Sequence, residues 1–280
     1  MGAAAVHLKF PGHELDLSSP VVMGVLNVTP DSFSDGGAWV EPSVAAEAAR
    51  AMVAAGAGVI DVGGESTRPG AAPVSADEEI DRVVPVIEAL AELPAPISID
   101  TSKPKVMRAA VAAGARMIND VNALRAPGAL ATAAALDVPV CLMHMQGEPR
   151  TMQTDPQYED VVEDVYQFLL SRVAACEDAG IPRARLVLDP GFGFGKTLAH
   201  NLSLLRHLRR FEAAGLPLLV GVSRKSLIGA VLDRPVDERL AGSLALACHA
   251  AAHGAHILRV HDVGPTRDAL AMLAAVAAAD

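Results

Sequence analysis

The chain has 280 residues, of which 51% are apolar, and a formal net charge of −10. This length fits one (β/α)8 barrel of about 250 residues or two smaller domains, and the apolar share can fill a large core. The acidic balance and the aromatic content of 3% argue against a nucleic-acid-binding surface, which needs a basic patch.

The cysteines and the lengths of the apolar runs indicate what kind of protein this is and where it is located. Cys141, Cys176 and Cys248 are widely spaced and odd in number, which argues against a disulfide framework and favours a reducing, cytoplasmic location. The N-terminus has no basic region followed by an apolar core, so we expect no signal peptide. No apolar run reaches about 18 residues, so we expect no contact with a membrane.

The first predicted element is a short β-hairpin. Apolar and polar residues alternate on both sides of the turn Pro11-Gly12-His13, from Val6 to Phe10 and from Leu15 to Leu17. In a barrel, such a hairpin would cover the bottom and have a packing role.

Eight short apolar runs follow, and each ends at or beside a polar residue. In several cases a glycine that favours the left-handed conformation past a helix end precedes the run, which indicates a repeat of helix end, turn and strand. The predicted strands are residues 21–26, 59–61, 97–99, 117–119, 138–143, 186–189, 218–220 and 257–259.

Ala-rich amphipathic segments lie between these strands. Residues 75–78, Ser-Ala-Asp-Glu, form a capping box that opens a helix running toward Leu93, and Pro104 and Pro127 suit first helical turns. Strands and helices alternate without a linker, which predicts a single (β/α)8 barrel over residues 1–280. A doubly wound sheet is the alternative, but its Gly-x-Gly-x-x-Gly fingerprint is absent after the first long strand.

The polar residues at the strand ends are the candidate site, because barrels place their active sites at the C-terminal ends of the strands. A carboxylate directly against a buried strand is costly unless it is used. The set comprises Asn27, Asp61, Asp100, Asn119, His144, Asp189, residues 223–226 and residues 259–262.

The residue types at these ends indicate two kinds of ligand. Asp100, Asn119 and Asp189 offer acceptors for a planar heterocycle that carries N–H and NH2 donors. Lys225 and Arg259 are cations that follow the last two strands, where barrels commonly bind phosphate.

Three further residues suit a charged ligand. His261 can donate when protonated, and Ser226 opens the next helix, where an anion can bind. Asn27 offers one hard oxygen, which with substrate phosphates and waters suits Mg2+. The run 192–196, Phe-Gly-Phe-Gly-Lys, lacks the spacing of a P-loop and is interpreted as a mobile loop on the active face.

Long motifs in this order resemble the dihydropteroate synthase family over essentially the whole chain. They are residues 23–37 (MGVLNVTPDSFSDGG), 62–70 (VGGESTRPG), 98–104 (SIDTSKP), 118–121 (INDV), 142–147 (LMHMQG), 188–196 (LDPGFGFGK), 221–226 (GVSRKS) and 259–263 (RVHDV). No motif position departs from the family pattern.

The resemblance implies an enzyme that joins 6-hydroxymethyl-7,8-dihydropterin diphosphate to 4-aminobenzoate, giving 7,8-dihydropteroate and diphosphate in folate synthesis. It also implies inhibition by sulfonamides, a homodimer and an SN1-like loss of diphosphate. Two loops, 28–37 and 63–71, would close over the site and be disordered without ligands.

The resemblance also implies roles for individual residues. The pterin ring would be held by Asp100, Asn119, Asp189 and Lys225. The diphosphate and Mg2+ would be held by Asn27, Arg259 and His261, with Thr67 at the same end. The aminobenzoate would be framed by Phe33, Arg68, Pro69, Phe194 and Ser226. The residues implied in catalysis are Asp35, Arg68, Asp100, Lys225, Arg259 and His261.

Two alternatives stay open from the sequence. One is a pterin-binding methyltransferase barrel, against which the blocks at 223–226 and 259–261 count, because they suit a diphosphate. The other is a paralogue that binds pterin without turning it over, against which Asp35, Thr67 and Arg68 count.

Overall fold

The computed structural model describes residues 7–10, 12–29, 41–66, 73–147 and 151–279. In these ranges the strands are β1 His7–Phe10, β2 His13–Asp16, β3 Val21–Asn27, β4 Val59–Gly63, β5 Ile97–Asp100, β6 Met117–Asp120, β7 Val140–Met143, β8 Leu186–Asp189, β9 Leu219–Val220 and β10 Ile257–Val260.

The helices of the same ranges follow the strands in alternation. They are α1 Pro42–Ala54, α2 Ala76–Ala89, α3 Pro104–Ala113, α4 Ala129–Leu136, α5 Val161–Asp178, α6 Leu198–Arg206, α7 Ser226–Leu232, α8 Leu240–Ala252 and α9 Val263–Ala277. Short 3-10 helices lie at Arg183–Arg185, Leu208–Ala214 and Val236–Glu238.

Strands β3 to β10 form one parallel eight-stranded sheet in the order β8-β7-β6-β5-β4-β3-β10-β9. A single parallel bridge between Leu188 and Leu218 joins its two ends, and the Leu188 amide donates to the Pro217 carbonyl at 2.9 Å. We call this junction the β8–β9 seam. The predicted (β/α)8 barrel is therefore confirmed.

The helices bury one apolar face each against the outside of the strands. On α5, for example, Val165, Leu169 and Val173 recur at a spacing of four residues and are fully or almost fully buried. The predicted turns before the strands are also confirmed, since Gly56 and Gly180 have φ angles of 101° and 87°. Few residues other than glycine adopt such angles at low cost.

The N-terminal hairpin lies at the bottom of the barrel, as predicted. Its strands pair antiparallel with Leu8 opposite Leu15. Leu8, Phe10 and Leu17 form a buried cluster with residues near the N-terminal strand ends, including Met23 and Val59. The hairpin closes the end of the barrel opposite to the candidate site.

Four local predictions need correction. The seventh strand in the chain, β7, begins at Val140 rather than at residue 138. Helix α2 ends at Ala89 rather than near Leu93, and in its capping box only the Ser75 hydroxyl acts as a cap, accepting from the Glu78 amide at 3.1 Å. The Glu78 side chain pairs with an arginine one turn later instead.

Pro127 lies outside α4, whose N-cap is Gly128. No helix in the described ranges is long and apolar enough to cross a membrane.

The Leu8→Ala variant tests the role of the hairpin. Leu8 is 0% exposed, so its truncation is expected to lower the free energy of unfolding by about 2–5 kcal/mol. Urea denaturation measures the change. Leu202→Ala, at a side chain 43% exposed on α6, is the control and should cost less than about 0.5 kcal/mol. Equal costs for the two variants would show that the hairpin is not part of the core.

Candidate active site

Three of the predicted site residues lie in one row with a glycine at the C-terminal end of the barrel. In the parallel register, Asn27 of β3 is opposite Gly63 of β4, Gly63 is opposite Asp100 of β5, and Asp100 is opposite Asn119 of β6. A Cβ added at Gly63 would lie 3.7 Å from the Asn27 Oδ1 and 3.8 Å from the Asp100 Oδ2. The glycine therefore keeps open the space between an amide oxygen and a carboxylate.

Arg259 links this row to the last strand. From β10 its Nε donates to the Asp61 Oδ2 at 2.6 Å, and its terminal nitrogen donates to the Asp100 Oδ2 at 2.8 Å. Asp61 is 0% exposed and the side chains of Asp100 and Arg259 are 14% and 22% exposed. One guanidinium thus donates to carboxylates from two neighbouring strands.

Asp61 also fixes the amide of Asn119. The Asn119 Nδ2 donates to the Asp61 Oδ2 at 3.0 Å. This oxygen also accepts from the Arg259 Nε, so one carboxylate oxygen of Asp61 has two donors. The other oxygen, Asp61 Oδ1, is buried and has no hydrogen-bond partner among the described residues. Because the Asn119 amide group is used by Asp61, its Oδ1 is the atom left to accept from a ligand.

Burial and neighbouring charges have opposing effects on the pKa values of Asp100 and Arg259. Burial raises the pKa of Asp100 to about 7, although the Arg259 charge opposes the shift and Asp61 adds to it. Burial lowers the pKa of Arg259, but the carboxylates of Asp61 and Asp100 outweigh this effect and the net shift is upward. Arg259 is therefore a permanent cation, whereas Asp100 titrates near neutrality.

Asp189 and Lys225 face each other across the β8–β9 seam. Asp189 ends β8, is 6% exposed, and accepts the Gly191 amide at its Oδ1 at 2.7 Å. Burial raises the pKa of Asp189, and the charge of Lys225 is the largest opposing influence. Burial lowers the pKa of Lys225 to about 8, against the opposing charge of Asp189.

Lys225 is held by the loop that follows β8. Its Nζ donates to the Phe192 carbonyl and lies 4.8 Å from the centre of the Phe194 ring. A Cβ at Gly221 would lie 3.9 Å from this Nζ and 3.7 Å from the Arg259 Cβ, so a glycine again keeps the space open beside the cations.

The residues after β9 and β10 meet above the strands. The His261 amide donates to the Ser223 Oγ at 3.2 Å, and its Nδ1 lies 3.1 Å from the same oxygen. Arg224 forms a two-point ion pair with Asp262, with its Nε 2.9 Å from the Asp262 Oδ2. Ser226 is exposed at the first position of α7, as predicted, and Lys225 is the N-cap.

Phe194 is half-buried and packs against a cluster of three buried methionines, Met143, Met145 and Met152. It lies on the loop between Gly191 and Lys196, which has several hydrogen bonds to the rest of the chain. These contacts anchor the loop and do not favour the mobile loop expected from the sequence.

Part of the predicted site lies outside the described residues. This holds for residues 30–37 of loop 28–37 and residues 67–71 of loop 63–71, so the expectation that these loops are disordered without ligands stays a prediction. The individual residues concerned are Phe33, Asp35, Thr67, Arg68 and Pro69.

Two residues with a clear place in the site received no role from the sequence. Asp61 stood among the polar strand ends, but its partner Arg259 is 198 positions away and only barrel closure brings the two together. Lys196 belongs to a recognised motif, yet its position in the sequence gave no sign that it is 3% exposed. Only Asp61 could have been identified from the sequence, because it is a carboxylate inside an apolar run.

The protein side chains offer little to a metal ion on their own. No group of three or more His, Cys, Asp or Glu side chains in the described part of the chain is arranged to hold one. A single hard oxygen such as the Asn27 Oδ1, beside the open space at Gly63, fits a Mg2+ ion that takes its remaining ligands from substrate and water.

Comparison with known proteins agrees with this geometry. The family model described as "Pterin binding enzyme" matches residues 23–261. Dihydropteroate synthase of Escherichia coli K12 is 56% identical over 269 residues, which is 96% of this chain and 95% of that protein. The chain belongs to the dihydropteroate synthase family.

Solved structures of the family have the same fold. Yersinia pestis dihydropteroate synthase in complex with a sulfonamide drug has a TM-score of 0.94 and 53% identity, covering 98% of this chain and 100% of that one. Xanthomonas albilineans dihydropteroate synthase in complex with 7,8-dihydropteroate has a TM-score of 0.90 and 49% identity, with coverage of 98% and 100%. The family resemblance inferred from the motifs is therefore confirmed.

The Asp61→Asn variant tests the network under the dihydropteroate synthase site. Loss of the shared charge is expected to weaken binding of 6-hydroxymethyl-7,8-dihydropterin by about 10- to 100-fold, because hydrogen bonds to charged groups are worth about 1.5–3 kcal/mol. Isothermal titration calorimetry measures the affinity.

Ser98→Ala is the matched control for this variant. Ser98 is the register partner of Asp61 on β5, is also 0% exposed, and its Oγ has no hydrogen-bond partner among the described residues. Its removal should leave pterin affinity unchanged. If the two variants bound pterin equally well, Asp61 would have no part in ordering the site.

Proposed function

We propose that this protein catalyses the condensation of 6-hydroxymethyl-7,8-dihydropterin diphosphate with 4-aminobenzoate to give 7,8-dihydropteroate and diphosphate, a step of folate synthesis. The observation that carries the proposal is that the acceptors Asp100, Asn119 and Asp189 and the cations Lys225 and Arg259 lie at the same end of the barrel, where Arg259 bonds Asp100 and the charge of Lys225 acts on Asp189. Acceptors for a pterin and cations for a diphosphate thus lie together.

The pterin ring is recognised by its donors. Adjacent ring N–H and NH2 groups match a carboxylate, and Asp189 keeps one oxygen free after accepting the Gly191 amide at the other. The Asn119 Oδ1 and the Asp100 carboxylate supply further acceptors, and Lys225 supplies a donor. The three acceptors are held by strands, so the ring is oriented before reaction.

The reaction breaks the bond between the pterin methylene carbon and the diphosphate oxygen. Arg259, which is permanently charged, and His261 stabilise the leaving diphosphate, and the nearby carboxylates favour the positive charge that develops on the pterin. Asn27 would hold Mg2+ together with the diphosphate, and the ion would supply further neutralisation of the leaving charge. This distribution of charge supports an SN1-like path.

The new bond forms between the amine nitrogen of 4-aminobenzoate and the methylene carbon, and the nitrogen then loses a proton. Phe194 offers an aromatic wall for the ring, and Ser226 at the start of α7 is placed to meet the carboxylate. Phe33, Asp35, Thr67, Arg68 and Pro69 complete the site by family resemblance. The amine needs orientation rather than a covalent enzyme intermediate.

A diphosphate-release assay tests this function. Purified protein with 6-hydroxymethyl-7,8-dihydropterin diphosphate and Mg2+ should release diphosphate in proportion to added 4-aminobenzoate, and a sulfonamide should compete with 4-aminobenzoate. Pterin binding without such release would contradict the proposal and point to a non-catalytic protein.

The Asp189→Asn variant tests pterin recognition. The Asn Oδ1 can still accept the Gly191 amide, but its NH2 group meets the donors of the ring, so pterin affinity should fall by about 10- to 100-fold. Calorimetry with 6-hydroxymethyl-7,8-dihydropterin measures the loss. Asp137→Asn, at a side chain 90% exposed just after α4, is the control. Wild-type affinity in Asp189→Asn would exclude this role.

The dependence of kcat/KM on pH should be bell-shaped. Activity requires Asp100 ionised and Lys225 charged, so kcat/KM should fall below about pH 7 and above about pH 8. In Lys225→Arg the alkaline limb should move upward, because a guanidinium keeps its charge. The substrates titrate identically in both proteins, so an unmoved limb would assign it to another group.

Stability gives a second readout for Asp100. Its pKa in the folded state, about 7, lies above the ordinary value of 3.8, so the folded protein binds more protons than the unfolded chain between these values. The free energy of unfolding contributed by Asp100 therefore falls as pH rises from about 4 to 7. Denaturant titrations should show this slope in the wild type and a shallower one in Asp100→Asn.

We also propose a cytoplasmic homodimer that meets through the C-terminal helices. Large apolar side chains are exposed there: Val231 at 58% and Val236 at 51% near α7, and Met272 at 66% and Val276 at 70% one turn apart on α9. All three cysteines are free, which suits a reducing compartment. Analytical ultracentrifugation of the wild type and of Met272→Glu tests the dimer, since a charge at a buried interface should produce monomers.

A further inference from the structure

Lys196 is a buried lysine that the proposed mechanism does not use. It ends the loop that follows β8, which we call the Lys196 loop, residues 191–196, and it is 3% exposed. A buried ammonium is costly unless all its protons are bound. The contacts of its Nζ therefore indicate what it does.

The Nζ of Lys196 has three close acceptors. It lies 2.8 Å from the His144 Nδ1, and it donates to the Gly191 carbonyl at 2.9 Å and to the Phe194 carbonyl at 3.0 Å. An ammonium has three protons, so each acceptor receives one. Two of the acceptors belong to the Lys196 loop itself, and the third follows β7.

His144 is suited to accept at this position. It is 5% exposed and packs edge-on against the Phe168 ring with 4.8 Å between ring centres. Burial, and next the charge of Lys196, lower the pKa of His144 to about 2, so the imidazole stays neutral. In the tautomer that carries its proton on Nε2, the Nδ1 has a lone pair that can accept from the Lys196 Nζ. Burial likewise lowers the pKa of Lys196 well below its ordinary value, and the charge of Asp189 opposes this effect.

The opposite side of the Lys196 loop faces the site. The Phe192 carbonyl accepts from the Lys225 Nζ, and the Phe194 ring lies beside the same Nζ at 4.8 Å. The loop is thus held between two lysines, one behind it and one in the site.

The backbone of the Lys196 loop packs closely against the backbone of the residues that follow β7. A Cβ added at Gly191 would lie 1.9 Å from the His144 carbonyl oxygen, and one at Gly195 would lie 2.4 Å from the Gln146 carbonyl oxygen. Further hydrogen bonds join the Gly193 amide to the Asn201 Oδ1 at 2.8 Å and the Tyr158 hydroxyl to the Gly195 carbonyl at 2.7 Å. A shift of the loop would therefore move Phe194 and the Phe192 carbonyl together.

We propose that Lys196 is a positioning residue for the active site: its ammonium fixes the Lys196 loop so that the Phe192 carbonyl and the Phe194 ring hold Lys225 in place for the substrates. The consequence for catalysis rests on the function proposed above for Lys225. The fixing of the loop does not depend on that function.

The Lys196→Met variant tests separately whether Lys196 fixes the loop and whether the fixed loop matters for the active site. Methionine keeps the length of the side chain but leaves two carbonyls and the His144 Nδ1 without their donor. Hydrogen–deuterium exchange of the ligand-free protein reads the loop directly, because the amides of Gly191, Gly193 and Phe194 are hydrogen-bonded in the wild type. Exchange in residues 191–196 should become about tenfold faster or more, with the strands unchanged.

Calorimetry with 6-hydroxymethyl-7,8-dihydropterin reads the effect on the site. The dissociation constant in Lys196→Met should rise about tenfold at unchanged stoichiometry, and kcat/KM for 4-aminobenzoate should fall by about 10- to 100-fold. Phe211→Leu is the control for a loss of stability without a change in the site. Phe211 is fully buried in the core between the strands and the helices. A loss of folded protein alone would lower the stoichiometry and leave the dissociation constant as in the wild type.

His144→Leu and His144→Asn provide a second pair of variants should Lys196→Met not fold. Asn keeps an acceptor near the position of the Nδ1 and should preserve loop protection and pterin affinity, whereas Leu should reproduce the losses expected for Lys196→Met.

Each outcome has one reading. Unchanged exchange in Lys196→Met and His144→Leu overturns the fixing role, and faster exchange with unchanged pterin affinity overturns its consequence for the site. Absence of pterin binding in the wild type overturns the proposed function, and the exchange data then still decide the role of Lys196 in the loop.

Discussion

The charge balance around Arg259 is the constraint on which the site depends. Asp61 and Asp100 come from neighbouring strands, are largely or fully buried, and both accept from the same guanidinium. Two buried carboxylates so close could not both be ionised without a cation between them. Arg259 comes from the last strand, so this balance exists only when β10 lies beside β3. The electrostatics of the site therefore depend on the pairing of the first and last strands of the eight-stranded sheet in the chain, β3 and β10.

The interior of the barrel is divided along its axis. At the bottom, Leu8, Phe10 and Met23 are part of a cluster that excludes water. At the top, the carboxylates, Asn119 and the cations hydrogen-bond mainly with one another. Such polar groups stabilise a fold less than apolar residues of similar size would. Their value lies in the fixed orientation that they present to a ligand without reorganisation during the reaction.

Most of the fold could be predicted from the sequence because its signals are local. A strand of four apolar residues, a glycine that ends a helix and a polar residue that ends a strand can each be identified within about ten residues. The predicted row of Asn27, Asp100 and Asn119 follows from the strand ends alone, since parallel strands end on the same side of a sheet.

The contacts that give individual residues their roles could not be predicted in this way. Asp61 depends on a residue 198 positions later, and Lys196 depends on His144 52 positions earlier. In both cases the deciding quantity is the number of acceptors or donors around one atom, and that number is set by tertiary packing. The loop after β8 illustrates the difference, because its glycines suggest mobility while the buried ammonium behind them fixes it.

The β8–β9 seam gives the ligand a structural part in the fold. Strand β9 has two residues, and a single bridge joins its side of the ring to β8. Local opening of a barrel starts where the fewest backbone hydrogen bonds must break. Asp189 and Lys225 stand on the two sides of this seam. Under the proposed function a pterin would contact both residues, and its hydrogen bonds would then hold together two strands that the backbone joins by a single bridge.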